Sequence, residues 1–188
     1  MRIISGKFKG KRIVSPKDKA TRPLRDLVKE SIFNVIKHSN KIKINIEKSV
    51  VLDLFSGSGS FGLEAISRGA KRCLFVENYS NALEVLNKNI KILKCENNCS
   101  INCLDCFSYI ENLQNNETKS DLIFLDPPYK EERINFILEN IVKNKIINQK
   151  GLVILHRNKK TKDHFIDKLK IVENRTYGIS KIYLIKLR

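Results

Sequence analysis

No apolar run in this sequence approaches the roughly 20 residues a helix needs to cross a bilayer, and the N-terminus turns charged directly after Met1-Arg-Ile-Ile4. Neither a membrane anchor nor a signal peptide is expected, which points to the cytoplasm. Acidic residues are short: 20 Asp or Glu stand against 36 Lys or Arg, a formal net charge of +16. A polyanion partner fits that balance, but 26 of the basic residues are lysines scattered among Asn and Ile, a mixture that composition drift also produces. The distribution says more. Residues 1–48 hold 14 Lys or Arg against 4 Asp or Glu, so the nucleic-acid contact is expected at that end. Cysteine is sparse and odd in number, five in 188 residues. Without an export signal, that count implies reduced thiols and no disulfide framework. Cys99, Cys103 and Cys106 have an iron–sulfur spacing. Against a cluster, Cys99-Ser-Ile-Asn-Cys103 reads as a strand with both thiols on one buried face, so no metal is expected.

Glycine and proline are scarce too, eight and four residues, yet three glycines fall between positions 57 and 62 and two prolines are adjacent at 127 and 128. The glycines follow Val50-Val-Leu-Asp-Leu54, an apolar run too short for a core helix. They precede Phe61-Gly-Leu-Glu-Ala-Ile66, which has helical spacing. This is a strand, a tight loop and a helix N-terminus. The G-x-G-x-x-G spacing alone points to a dinucleotide. Asp53 in the strand end argues against one, because a carboxylate repels a pyrophosphate and suits a cationic nucleoside. S-adenosylmethionine is such a ligand. Glu77, about 20 residues past the glycines, stands where an acid accepts from ribose hydroxyls. Asp105 either shapes an adenine pocket or caps the helix that starts near Phe107.

From Lys41 the pattern alternates strand and helix: strands at 50–54, 72–76, 99–103, 122–125 and 152–156, with helices at 61–68, 81–93, 107–113, 132–143 and 162–169, then closing strands at 171–177 and 181–187. An α/β fold follows, a mostly parallel sheet with helices on both faces and an antiparallel pair around Gly178. Residues 41–188 are read as one catalytic domain. Residues 1–40 are read as a basic extension, in which Arg2–Gly6 and Lys7–Val14 form short hairpin strands. A helix over Asp26–Ile36 then shows Leu27, Ile32, Phe33 and Ile36 at helical spacing. Arg2, Lys7, Lys9, Arg12, Arg22, Arg25 and Lys29 are the candidate phosphate contacts of this extension.

The strand that carries chemistry is Asp121-Leu-Ile-Phe-Leu-Asp126-Pro-Pro-Tyr129. In an open α/β sheet the ligand crevice lies at the carboxyl ends of the strands where the winding reverses, which places Asp126 opposite the glycine loop. Pro127 and Pro128 stiffen the turn and remove two backbone donors. A cluster that only accepts hydrogen bonds suits an exocyclic amine, and Tyr129 offers the base a stacking face.

Asp-Pro-Pro-Tyr resembles the motif of S-adenosylmethionine-dependent methyltransferases acting on nucleobase amines, which leaves DNA adenine-N6, DNA cytosine-N4 and RNA guanine enzymes open. Arg2-Ile-Ile-Ser-Gly-Lys-Phe-Lys-Gly10, Arg22-Pro-Leu-Arg-Asp-Leu-Val-Lys-Glu-Ser-Ile-Phe33, Leu52-Asp-Leu-Phe-Ser-Gly-Ser-Gly59 and Gly62-Leu-Glu-Ala-Ile-Ser-Arg-Gly69 narrow it. Together they resemble the bacterial 16S rRNA guanine-N2 methyltransferase (RsmD-type) family over nearly the whole chain. The resemblance implies a Rossmann-like class I methyltransferase fold, S-adenosylmethionine as donor, and a guanine of small-subunit ribosomal RNA as target, in a subunit or its assembly intermediate. It implies that Asp53, Phe55, Gly57 and Gly59 line the cofactor, that Glu77 holds its ribose, and that Asp126, Pro127, Pro128 and Tyr129 hold the base. A monomer is expected. Ser5, Leu24 and His156 depart from the family pattern, where a glycine, a threonine and an acid are usual. A different class, an RNA-binding assembly factor without turnover, is disfavoured by the intact glycine loop and Asp-Pro-Pro-Tyr together.

Overall fold

Val51, Leu52, Asp53 and Leu54 are all buried, as a strand covered on both faces requires, and the architecture is built outward from that strand. A computed structural model describes residues 1–16, 24–113 and 119–188. Its elements are α1 (Asp26–His38), β1 (Val50–Leu54), α2 (Ser60–Ser67), β2 (Arg72–Val76), α3 (Ser80–Leu93), β3 (Cys99–Asn102), α4 (Cys106–Asn112), β4 (Ser120–Leu125), α5 (Ile134–Lys143), β5 (Ile147–Asn158), β6 (Leu169–Tyr177) and β7 (Ser180–Leu187). They form a seven-stranded sheet in the order β3-β2-β1-β4-β5-β7-β6. Strands β1 to β5 run parallel and β7 is antiparallel to both neighbours. The winding reverses between β1 and β4, where Asp53 lies beside Phe124 and Leu54 beside Leu125. The ligand crevice therefore opens above those two strand ends.

One apolar cluster fills each face of the sheet. On one side Phe61 of α2 stacks on Phe124 with centroids 3.9 Å apart and on Phe33 of α1 at 5.0 Å. On the other, Ile110 of α4 and Ile137, Leu138 and Ile141 of α5 cover Leu52, Leu54, Ile123 and Leu125. The N-terminal segment joins the first cluster through Ile3, Phe8 and Ile13.

Several local expectations are corrected. The N-terminal hairpin is reduced to one antiparallel bridge between Arg2 and Arg12. Ile3, Gly10 and Ile13 still donate across it to Lys11 O, Ile3 O and Met1 O at 2.9, 2.8 and 3.1 Å, while other donors reach α2: Ile4 and Ser5 donate to the two Glu64 carboxylate oxygens at 2.8 and 3.0 Å, and Phe8 donates to Ser67 Oγ at 2.9 Å. Gly6 makes this possible, since at its φ of +82° a Cβ would sit 1.8 Å from Ser67 O. In α1 the buried residues are Val28, Lys29, Ile32, Phe33 and Ile36, while Leu27 is 67% exposed. No helix forms over 162–169. There Asp163 is drawn to Arg157 Nε at 2.9 Å and the Phe165 ring packs edge-on to Tyr183, and β6 begins at Leu169. Cys103 is exposed because β3 stops at Asn102, so Cys99 and Cys103 do not share a buried face. All five cysteines are free thiols.

Candidate active site

A cavity of about 490 Å³ opens at the carboxyl ends of β1, β2 and β4. Three local sequences build it. The first is the turn from β1 into α2. Asp53 is 1% exposed and its Oδ2 accepts the Gly62 N–H at 2.9 Å, which pins the strand end to the first turn of the helix. Phe55 takes a positive φ of +57° and Gly57 one of +53°. Among the described residues nothing lies within 4 Å of the position a Cβ on Gly57 would occupy, so this backbone faces open cavity. Gly59 does otherwise. At φ +76° it precedes α2, and a Cβ there would meet the Leu86 side chain at 2.4 Å, so Gly59 serves packing and does not line the cavity.

The second is the end of β2. Glu77 accepts the Gly57 N–H at 2.7 Å through Oε2, and those of Asn78 and Tyr79 at 3.0 Å each through Oε1. Its carboxylate thus ties the glycine loop to the loop after β2. Asp105, past β3, caps α4 by accepting from Phe107 and Ser108 at 2.9 and 3.1 Å, and it also lines the cavity.

The third is the turn after β4. Asp126, Pro127, Pro128 and Tyr129 all line the cavity, whose floor includes Phe61 and Phe124. Asp126 Oδ1 lies 2.8 Å from Nδ1 of His156. Arg157, 1% exposed, donates to Pro128 O at 3.4 Å and Glu131 O at 2.8 Å. Glu131 in turn holds Arg133, whose guanidinium stacks over the Phe107 ring 3.9 Å from its centroid. Sequence reasoning missed Phe107, Glu131, Arg133 and Arg157. For His156, its position at the end of the β5 apolar run was the available signal.

Among the described residues five carboxylates, Asp53, Glu77, Asp105, Asp126 and Glu131, therefore line one cavity, and its one lining guanidinium, Arg133, is paired with Glu131. Burial pushes the Asp53 carboxyl well above the usual aspartate range, the Gly62 N–H opposes that shift, and the charges of Asp126 and Glu77 add to it. Such a site is short of positive charge and fits a cationic ligand.

Among the candidate phosphate contacts, Arg2, Lys7, Lys9, Arg12 and Arg25 are exposed and none lines the cavity. Arg22 lies outside the described residues. Lys29 is a correction: it is fully buried, donating to Arg2 O at 2.9 Å and Ser60 Oγ at 3.1 Å. The cause is Glu64, also fully buried, which needs a cation within the same packed layer. No group of three or more His, Cys, Asp or Glu able to hold a metal ion occurs among the described residues.

A family model described as Conserved hypothetical protein 95 matches residues 1–186. The YlbH protein of Bacillus subtilis is 32% identical over 189 residues, which covers 100% of both chains. Ribosomal RNA small subunit methyltransferase D of Haemophilus influenzae is 34% identical over 145 residues, covering 74% of this chain and 72% of its own. The chain belongs to the RsmD-type methyltransferase family. The yhhF protein of Escherichia coli has the same fold, with a TM-score of 0.85 at 23% identity over 100% of this chain and 98% of its own. The open backbone at Gly57 leaves room for a ligand to approach closely within the acidic cavity.

Proposed function

We propose that this protein methylates the exocyclic N2 amine of one guanine in small-subunit ribosomal RNA, acting as a cytoplasmic monomer on a small subunit or its assembly intermediate. The observation that carries the reading is the placement of Asp126 and its two prolines in the same cavity as the acidic cofactor cradle. The name of the Haemophilus influenzae relative supports the ribosomal substrate.

Bound beside Asp53, Gly57 and Glu77, S-adenosylmethionine would supply a methyl group already activated by its sulfonium. The protein then has three tasks. The first is alignment: the Asp126 carboxylate and the carbonyls of the Pro127-Pro128 turn, whose two prolines carry no N–H, accept the hydrogens of a planar amine, turning its lone pair toward the cofactor side of the cavity. The ring of Tyr129, half-buried at the cavity wall, gives the extruded base a stacking surface. The second is exclusion of water, to which the apolar floor of Phe61 and Phe124 contributes. The third is charge: the amine gains positive character as it takes the methyl, and the Asp126 carboxylate stabilises it and accepts its proton. The exposed Arg2, Lys7, Lys9, Arg12 and Arg25 hold the phosphate backbone.

Incubation of the protein with labelled S-adenosylmethionine and unmodified small subunits, free ribosomal RNA or DNA, followed by nucleoside identification, tests the proposal. N2-methylguanosine from the subunit or its RNA is expected. Methyladenine or methylcytosine as product would overturn it.

A further inference from the structure

The last turns of β5 present two consecutive buried side chains to the catalytic turn. Arg157 holds its backbone through Pro128 O and Glu131 O, and is itself held by Asp163 at 2.9 Å. His156, 2% exposed, reaches its carboxylate, with Nδ1 2.8 Å from Asp126 Oδ1. That distance requires one hydrogen between the two atoms, since two facing lone pairs repel. The far side of the ring decides where the hydrogen belongs. His156 Nε2 is buried with no hydrogen-bond partner among the described residues. An imidazolium would bury a charged N–H there with nothing to accept it, which costs more than a bare lone pair.

We propose that His156 is a positioning residue for methyl transfer: as a neutral imidazole it donates Nδ1–H to Asp126 Oδ1 and turns the other carboxylate oxygen, Oδ2, toward the amine of the base. The inference rests on the methyl-transfer reading above. The groups facing the pair agree with a neutral ring. Arg157 is already matched by Asp163, and the Tyr129 ring meets the imidazole edge-on with centroids 6.1 Å apart. Asp53 and Glu77 line the same cavity as Asp126. The proton consequently stops at Asp126. The N–H bond of the amine breaks with its electron pair staying on nitrogen, the proton goes to Oδ2, and His156 neither gains nor loses one.

Three variants separate this hydrogen bond from mere filling of space. His156→Asn places a side-chain amide N–H near the position of Nδ1–H, His156→Gln places one near Nε2, and His156→Leu has none. Single-turnover rates on whichever nucleic acid the wild type methylates should fall about ten- to a hundredfold for the Leu and Gln variants, as expected for a lost hydrogen bond to a charged group. His156→Asn should recover about tenfold or more over His156→Leu. Cofactor affinity, measured by calorimetry, should stay within about threefold in all three, because none of them touches the glycine loop. An Asn variant no faster than the Leu variant, or a Gln variant as fast as the Asn variant, would overturn the proposal. Should the Leu variant fail to fold, the order of Asn and Gln decides alone. A wild-type product other than methylguanosine would sink the substrate reading and leave this test intact; methylguanosine without the Asn-over-Gln order would sink only the positioning role.

Discussion

Replacing Lys29 with methionine removes a buried ammonium while keeping most of its apolar stem, and the structure lets the cost be worked out. Lys29 Nζ donates to Arg2 O at 2.9 Å and Ser60 Oγ at 3.1 Å, and stands 3.7 Å from both Glu64 Oε2 and Asp26 Oδ1. Stripping one member from a buried ion pair costs about 3–5 kcal/mol when the other is left bare. Glu64 is not left bare. Arg68 Nε donates to it at 2.8 Å, and the Ile4 and Ser5 N–H groups continue to do so. Burial already holds the Lys29 pKa below its usual value, so methionine also relieves a desolvation cost that the wild type carries. The net loss should be about 2–3 kcal/mol, which for a domain of this size lowers Tm by about 4–12 °C. Thermal unfolding by circular dichroism measures it, alongside RNA binding across a salt series below both transitions. An unchanged Tm together with a salt slope reduced by about one phosphate contact would return Lys29 to the RNA face and refute the buried-pair reasoning.

Asp126→Ala should slow single-turnover methyl transfer by roughly a hundredfold or more while cofactor affinity holds, and Asp126→Asn should be milder because its amide oxygen still accepts; a near-normal Ala variant would remove Asp126 from the chemistry. Asp53→Asn tests the acidic cradle. A carboxyl whose folded pKa is raised binds more protons folded than unfolded, so its contribution to stability falls as pH rises above the ordinary aspartate range. The Asn variant should therefore melt higher than wild type near neutral pH, with a smaller loss of Tm between acid and neutral pH, yet bind S-adenosylmethionine more weakly; equal melting curves at both pH values would contradict the burial argument. Changing Arg2, Arg12 and Arg25 together to Gln should flatten the dependence of log affinity on log salt by about two to three units without altering cofactor binding. A wild-type slope would make that surface a solvated face.

Much of this fold was legible because its signals are local. The β1 run, the glycines that follow it and the helical spacing after Phe61 each depend on neighbours within a few residues, and β1, β2, α3 and β4 appear within one or two residues of their expected limits. The double proline marks its turn by removing donors, whatever surrounds it. The segment 162–169 was misjudged for the converse reason. Its residues carry a helical pattern, but Arg157 and Tyr183, from β5 and β7, hold Asp163 and Phe165 in a loop.

The chain alone specifies the alternation of strand and helix, the placement of Asp53, Glu77 and Asp126 at strand ends, and hence an acidic crevice at the switch point. Those properties follow from backbone periodicity and from the handedness of strand–helix–strand crossovers, which any sequence with this pattern obeys. Folding decided which charges meet. Nothing near Lys29 in the sequence says that its ammonium will be buried beside Glu64, and nothing near His156 says that its ring will turn to Asp126, 30 residues away. Both pairings exist because strand order and helix packing bring distant segments within hydrogen-bond distance. A buried charge takes its meaning from that distance, and sequence neighbours do not encode it.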